Sequence, residues 1–202
     1  MYNIDMKKMY LLRHGQTIFN LKLKMQGHCD SPLTNKGIKQ AESIRDYFIE
    51  NNIDFDAVYS SSSERAIDTA RIVSENKYPI LPSKDLREMN FGDLEGENGH
   101  LELTDLTQDK DYLVKFHGED QISAQKRMYS KITEIMESIN DSVLVVSSSC
   151  SIMNFVKYVD LVAYQKLMSE VRFINCTLLI FEYENGNYRL VDIKQPPEIP
   201  ND

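Results

Sequence analysis

The sequence predicts an α/β fold, a three-layer αβα sandwich around a mostly parallel mixed sheet. Three observations carry this. Val143-Leu144-Val145-Val146 is an unbroken apolar run, the pattern of a strand buried on both faces of a parallel sheet. Shorter apolar runs at 9–12 and 57–60 alternate with helical patterns, as parallel strands joined by crossovers require. Two late runs, 177–181 and 188–193, flank Glu184-Asn185-Gly186-Asn187, a hairpin signal that adds antiparallel strands and makes the sheet mixed.

Met9-Tyr10-Leu11-Leu12 reads as the first strand, ending abruptly in Arg13-His14-Gly15. Residues 17–33 read as a long loop, broken by Gly27, Asp30 and Pro32. Thr34 is the expected cap of a helix whose apolar face is Ile38, Ala41, Ile44 and Phe48, ending near Asn51-Asn52. After the 57–60 strand a helix starts close to Arg65, with Ala66, Ala70 and Val73 on one face. Ile80-Leu81 and Leu86 suggest an extended segment leading into the acidic, glycine-punctuated stretch 87–96. A long helix follows Gly118, with Ile122, Tyr129, Ile132, Ile135 and Ile139 expected down its apolar side. Residues 152–159 resume a helical pattern after the 143–146 strand. The chain reads as a single domain over 1–202, with a small cap or lid at about 97–118 and a flexible tail at 195–202 holding prolines.

Composition narrows the function. Of the 202 residues 42% are hydrophobic and 27% charged, as in an ordinary globular chain. No apolar run is long enough to span a bilayer, and the first residues lack a signal-peptide core, so a cytoplasmic protein without membrane contact is expected. Cys29, Cys150 and Cys176 are odd in number and far apart, which fits reduced thiols and gives no zinc spacing. A net charge of -8 without a dense basic run argues against nucleic acid. It does not exclude a small anion, because a few converging cations set the local field.

Arg13, His14 and Gly15 offer that convergence. A cation and an imidazole sit at a strand's carboxyl end, where open α/β sheets bind ligands, and Gly15 permits close backbone approach. The alternative is a core histidine beside an arginine paired with a carboxylate. Arg65 is expected at a helix N-terminus, where free N–H groups and the dipole favour an anion. A solvated surface arginine is the competing reading there.

Taken in order, these motifs resemble the histidine phosphatase superfamily, which includes phosphoglycerate mutase. Arg13-His14-Gly15-Gln16-Thr17 matches its signature; Asn20, Gln26-Gly27 and 30–34 match the following loop; Gly37 and Gln40-Ala41 match the helix behind it. Ser60-Ser61, Arg65-Ala66 and Thr69-Ala70 match the second-arginine motif, and Leu86, Glu88, Phe91-Gly92 and Glu95-Gly96 the acid motif. Gly118-Glu119, Arg127 and Asn175-Cys176 match weaker signals.

The resemblance implies that His14 attacks phosphorus and becomes a phosphohistidine. Arg13 and Arg65 hold phosphoryl oxygens, with Asn20, Gln26 and Gly27 in the binding set. Glu88 protonates the leaving oxygen and helps activate water. No metal or cofactor is implied, because the arginines supply the charge. One departure is serious. Where the family reads Ser-His-Gly after the buried strand, this chain reads Ser147-Ser148-Ser149, so Ser148 replaces the second histidine and Ser149 the glycine, whose role is expected to be close approach or positive φ. Lys24 stands where the family usually has arginine. The expected function is a phosphatase on small phosphomonoesters, slowed by Ser148, with a phosphorylated substrate or free phosphate as partner. The alternatives are a non-catalytic phosphate-binding relative and, on a weaker footing, a phosphoglycerate mutase. Neither the substrate nor the oligomeric state is legible.

Overall fold

The computed structural model describes residues 6–99, 109 and 111–200. Six strands form one sheet: β1 (Lys7–Arg13), β2 (Ala57–Ser61), β3 (Ile80–Ser83), β4 (Ser142–Ser147), β5 (Leu178–Glu184) and β6 (Asn187–Lys194). Their spatial order is β3-β2-β4-β1-β5-β6. The first four run parallel, and β5 and β6 run antiparallel to their neighbours. Among the described residues the α-helices are α1 (Ile18–Leu21), α2 (Asn35–Glu50), α3 (Glu64–Val73), α4 (Gln121–Ser138), α5 (Ser149–Val159) and α6 (Leu161–Glu170). The expected three-layer α/β architecture is present, and no described helix is long and apolar enough to cross a membrane.

Strand β4 is central, and every one of its residues is buried. Because side chains alternate along a strand, β1 and β4 feed both layers. Met9, Leu11, Val143 and Val145 pack with Met128, Ile132, Ile152 and Phe155 of α4 and α5. Tyr10, Leu12, Leu144 and Val146 pack with Ile44 and Phe48 of α2 and with Ala66 and Ala70 of α3. Truncating a fully buried residue such as Leu11 to alanine would cost about 2–5 kcal/mol.

The register brings the functional ends together. Arg13 lies opposite Ser147, and Ser60 of β2 opposite Val146. The chain therefore leaves β1 at His14, β2 at Ser62 and β4 at Ser148 on one edge of the sheet. Two glycines fit the first exit to α2. A Cβ on Gly15 would stand 2.6 Å from the Gly37 carbonyl oxygen, and one on Gly37 would stand 2.1 Å from that of Gln16. Thr34 caps α2 through Gly37 N–H, as expected.

Several elements differ from expectation. The 17–33 loop contains α1, closed by a capping box between Thr17 and Asn20. Ile132, Ile135 and Ile139 are buried as expected, but Ile122 is exposed, and Ala124, Met128 and Met136 complete the buried side in its place. Helix α5 starts at Ser149, three residues before its apolar run, and α6 was not anticipated although Asp160 caps it through Ala163 N–H. The tail expected to be free from Gln195 begins with tied-down residues: Gln195 donates to the Arg172 carbonyl, and Pro196 is buried. Part of the proposed 97–118 cap, residues 100–108 and 110, falls outside the described residues. Its described part includes a short 3₁₀ turn, Tyr112–Phe116, with Leu113 buried against Met89 and Phe91.

Candidate active site

His14 follows directly from β1 and is only 4% exposed. Its Nδ1 lies 2.8 Å from the Gly15 carbonyl oxygen, an acceptor only, so Nδ1 carries the proton and Nε2 keeps a free lone pair. Burial holds the imidazole pKa well below 6.5, and the guanidinium groups of Arg65 and Arg13 lower it further. The ring is therefore neutral at physiological pH with an unprotonated nitrogen. The nearby Cys150 thiol is pushed the other way, well above its ordinary value, chiefly by burial and then by Glu88.

Arg13 donates through Nη1 to the Phe173 carbonyl, while its buried Nε has no protein acceptor. Arg65, on the first turn of α3, is 1% exposed. It donates to the carbonyls of Cys29 (2.8 Å) and Gly27 (2.9 Å) and to Asp30 Oδ1 (3.1 Å), and its Nε is also without an acceptor. Gly27 is at φ +53°, and a Cβ there would collide with Glu95 Oε1 at 2.4 Å, so the carbonyl it aims at Arg65 depends on glycine.

Thr17 orients the two amides. Its N–H donates to Asn20 Oδ1, which also accepts from Asn175 Nδ2. Its hydroxyl accepts from Asn20 N–H and donates to Gln26 Oε1 at 2.9 Å. Both amide oxygens are thereby occupied, and each NH₂ is left as a donor; Gln26 Nε2 is buried with no partner. Unpaired buried donors are costly, so three of them at one site call for an anionic acceptor.

Glu88 is gripped from behind. Its Oε1 accepts from Met89 N–H and Ser151 N–H, both at 2.9 Å, and Oε2 accepts from Cys150 N–H at 3.0 Å. The carboxylate thus sits on the N-terminus of α5. Arg127 secures the same loop, pairing bidentately with Glu119 and donating to the carbonyls of Asp85, Arg87 and Glu88.

Helix α3 departs from expectation. Its N-terminal N–H groups do not face an open anion site, because the Asp30 carboxylate accepts from Glu64 N–H and lies 3.5 Å from Arg65 N. Its dipole is complemented internally.

Ser148 is fully buried at the N-cap of α5, makes no side-chain cap bond, and accepts a long 3.4 Å contact from Arg65 Nη2. Ser149 is the first helical residue and is not at positive φ, so the expected backbone strain there is absent. No other described histidine takes over. His28 Nε2 donates to the Glu88 carbonyl, and His117 pairs with Asp93 on the surface.

Arg13, His14, Asn20, Gln26, Gly27, Arg65 and Glu88 line one cavity of about 460 Å³; Ser148 is not among its lining residues and reaches the site only through its contact with Arg65. The wall also contains Lys36, Arg172 and Asn175. Lys36 and Arg172 belong to no recognisable motif and escaped the sequence reading. Among the described residues no cluster of histidine, cysteine or acidic groups is arranged to hold a metal.

The sequence profile of the histidine phosphatase superfamily (branch 1) matches residues 9–196. The chain belongs to this superfamily. Among similar proteins, the adenosylcobalamin/alpha-ribazole phosphatase of Escherichia coli K12 is 39% identical over 89 residues, 44% of this chain and 43% of that protein. A 2,3-bisphosphoglycerate-dependent phosphoglycerate mutase of Bacteroides fragilis is 32% identical over 128 residues, 61% of this chain and 47% of its own. The chain thus spans under half the length of these curated relatives. The crystal structure of a Bacillus anthracis phosphoglycerate mutase superposes with a TM-score of 0.81 at 28% identity, covering 94% of this chain and 93% of that one. This histidine phosphatase fold therefore has both phosphatases and mutases among its kin.

Proposed function

We propose that the protein hydrolyses small phosphomonoesters through a phosphohistidine at His14, at a rate lowered by Ser148. The observation carrying this reading is a neutral, buried His14 with a free Nε2, flanked by two buried arginines whose Nε donors lack acceptors. In the first step Nε2 attacks phosphorus, the P–O ester bond breaks, and the leaving oxygen takes a proton from Glu88. In the second, water attacks phosphorus, the P–N bond breaks, Glu88 recovers the proton, and His14 and inorganic phosphate are released. Oε2 of Glu88, with one N–H donor against two on Oε1, is the oxygen left to exchange that proton. Arg13, Arg65, Asn20 and Gln26 supply donors to the phosphoryl oxygens.

Ser148 offers a short neutral hydroxyl in place of an imidazole. Loss of one such transition-state donor costs about 10²- to 10³-fold in rate, which slows an enzyme without abolishing it. The E. coli relative is named as a phosphatase, and hydrolysis needs no second phosphoryl acceptor. The test is rapid quenching of the protein with a radiolabelled phosphoester. Acid-labile, base-stable label on the wild type and none on His14→Ala is expected. Turnover that survives His14→Ala unchanged overturns the mechanism, and phosphate binding without turnover across a broad ester panel supports a binding protein instead.

A further inference from the structure

Glu95 is an acid close to a cavity built for an anion. It is half-buried and is not among the residues that line the cavity, so it acts only through its neighbours. By charge alone it works against a bound phosphoryl group. Its hydrogen bonds show what offsets that. Oε1 accepts from His28 N–H at 2.7 Å and from Phe91 N–H at 3.1 Å, and Oε2 accepts from Cys29 N–H at 2.8 Å. One carboxylate thus meets both the loop that holds Arg65 and the loop that carries Glu88.

Joining those loops does not require Glu95. Their backbones are already paired: Gly96 N–H donates to the Met25 carbonyl, Met25 N–H to that of Glu97, and Gly99 N–H to that of Leu23. What Glu95 adds is a grip on one peptide group. The His28 N–H and the Gly27 carbonyl belong to the same planar unit and point to opposite sides of it. Glu95 takes the N–H end, and Arg65 Nη2 donates to the carbonyl end at 2.9 Å. Carboxylate, peptide and guanidinium therefore form one chain, in which each charge strengthens the bond at the far end. Cys29 N–H is shared with the Gln26 carbonyl, so the Gly27–His28 group is the direct link. Glycine at 27 is what admits the carboxylate, since a Cβ there would stand 2.4 Å from Oε1.

We infer that Glu95 is a positioning residue: by holding the Gly27–His28 peptide it fixes the Arg65 guanidinium for the phosphoryl group. The inference rests on the phosphoryl-binding reading of the cavity. Its test turns on a sign. Removing a negative charge near an anion site tightens anion binding if charge alone acts, whereas releasing the peptide loosens it. Calorimetry with orthovanadate should show Glu95→Gln binding about tenfold more weakly than the wild type, the scale of one hydrogen bond to a charged group. Glu97→Gln, the same charge change at an exposed neighbour, should alter binding less than about twofold. Binding that tightens or stays unchanged in Glu95→Gln, or weakens equally in Glu97→Gln, overturns the role. Should Glu95→Gln fail to fold, the chain is read from its other end. Arg65→Lys should move the His28 amide proton upfield in the NMR spectrum, although residue 65 does not touch that N–H, and an unmoved resonance overturns the inference. A wild-type protein that binds neither vanadate nor phosphate would instead remove the phosphoryl site itself, and the positioning role with it.

Discussion

Two neighbouring strand-to-helix junctions meet beside the cavity, and they are built differently. At β2–α3 the helix N-terminus is closed by Asp30, and the same carboxylate pairs with Arg65, so helix, loop and guanidinium form one bonded unit. At β4–α5 the N-cap side chain, Ser148, closes nothing, and the helix end is taken by Glu88 from a distant loop. The first junction delivers a fully braced cation. The second delivers an acid but leaves the capping position with a group too short to reach far into the cavity. On the proposed reading, phosphoryl binding and the chemistry that follows depend on separate junctions, and Ser148 weakens only the second.

The largest effect should come from breaking the braced junction. Arg65→Ala removes a buried cation and leaves the carbonyls of Gly27 and Cys29 and part of Asp30 without their donor. Stability should fall by about 3–5 kcal/mol in urea unfolding, as when one partner of a buried pair is lost. Any vanadate-induced rise in Tm should disappear with it. A variant with unchanged stability would show that the brace carries no energy.

Completing the second junction should come next. Ser148→His should raise kcat by about 10²-fold or more, and kcat more than KM. A variant that binds phosphate but remains inactive on all esters would favour the binding-protein reading.

A smaller effect concerns pH. Folded His14 takes up its proton only well below the 6.5 of the unfolded chain. Below pH 6.5 the unfolded state therefore binds more protons, and stability falls as pH falls, by at most about 1.4 kcal/mol per pH unit from this residue. Above 6.5 the contribution is flat. Subtracting the pH profile of His14→Gln isolates it from His28, whose pKa is also lowered. Parallel profiles for the two proteins would mean that His14 is not held neutral by the fold.

The smallest effect separates the serines. Ser149 is helical, so the glycine expected to help histidine at 148 has no strain to relieve. Ser149→Gly should cost at most about 1 kcal/mol of stability and add little to the kcat of Ser148→His. A double variant far more active than the single would show that the backbone at 149 must move.

The first junction's arginine and the second junction's serines were legible for the same reason: both follow runs that read as strands. Val143 to Val146 is readable because both faces of β4 are buried. Asp30 was visible as part of a motif, but its grip on a helix end 34 residues later was not, because capping across such a distance leaves no periodic trace. The same holds for Glu88 and α5, 62 residues apart at Cys150. Lys36 and Arg172 left a fainter signal. A lysine in a helix's first turn with no nearby acid is an anomaly that can be noticed in sequence, whereas Arg172 reaches the cavity only through the fold.

The grip of Glu88 on α5 makes two backbone amides into witnesses of the acid. Cys150 and Ser151 lean on its oxygens, so any proton the carboxyl gains weakens the acceptors they rely on. Hydrogen–deuterium exchange at those two positions should quicken when Glu88 is protonated or replaced by alanine, while amides deeper in α5 stay slow. The opening turn of a buried helix thus doubles as a gauge of the site's proton inventory, readable without substrate and without a label.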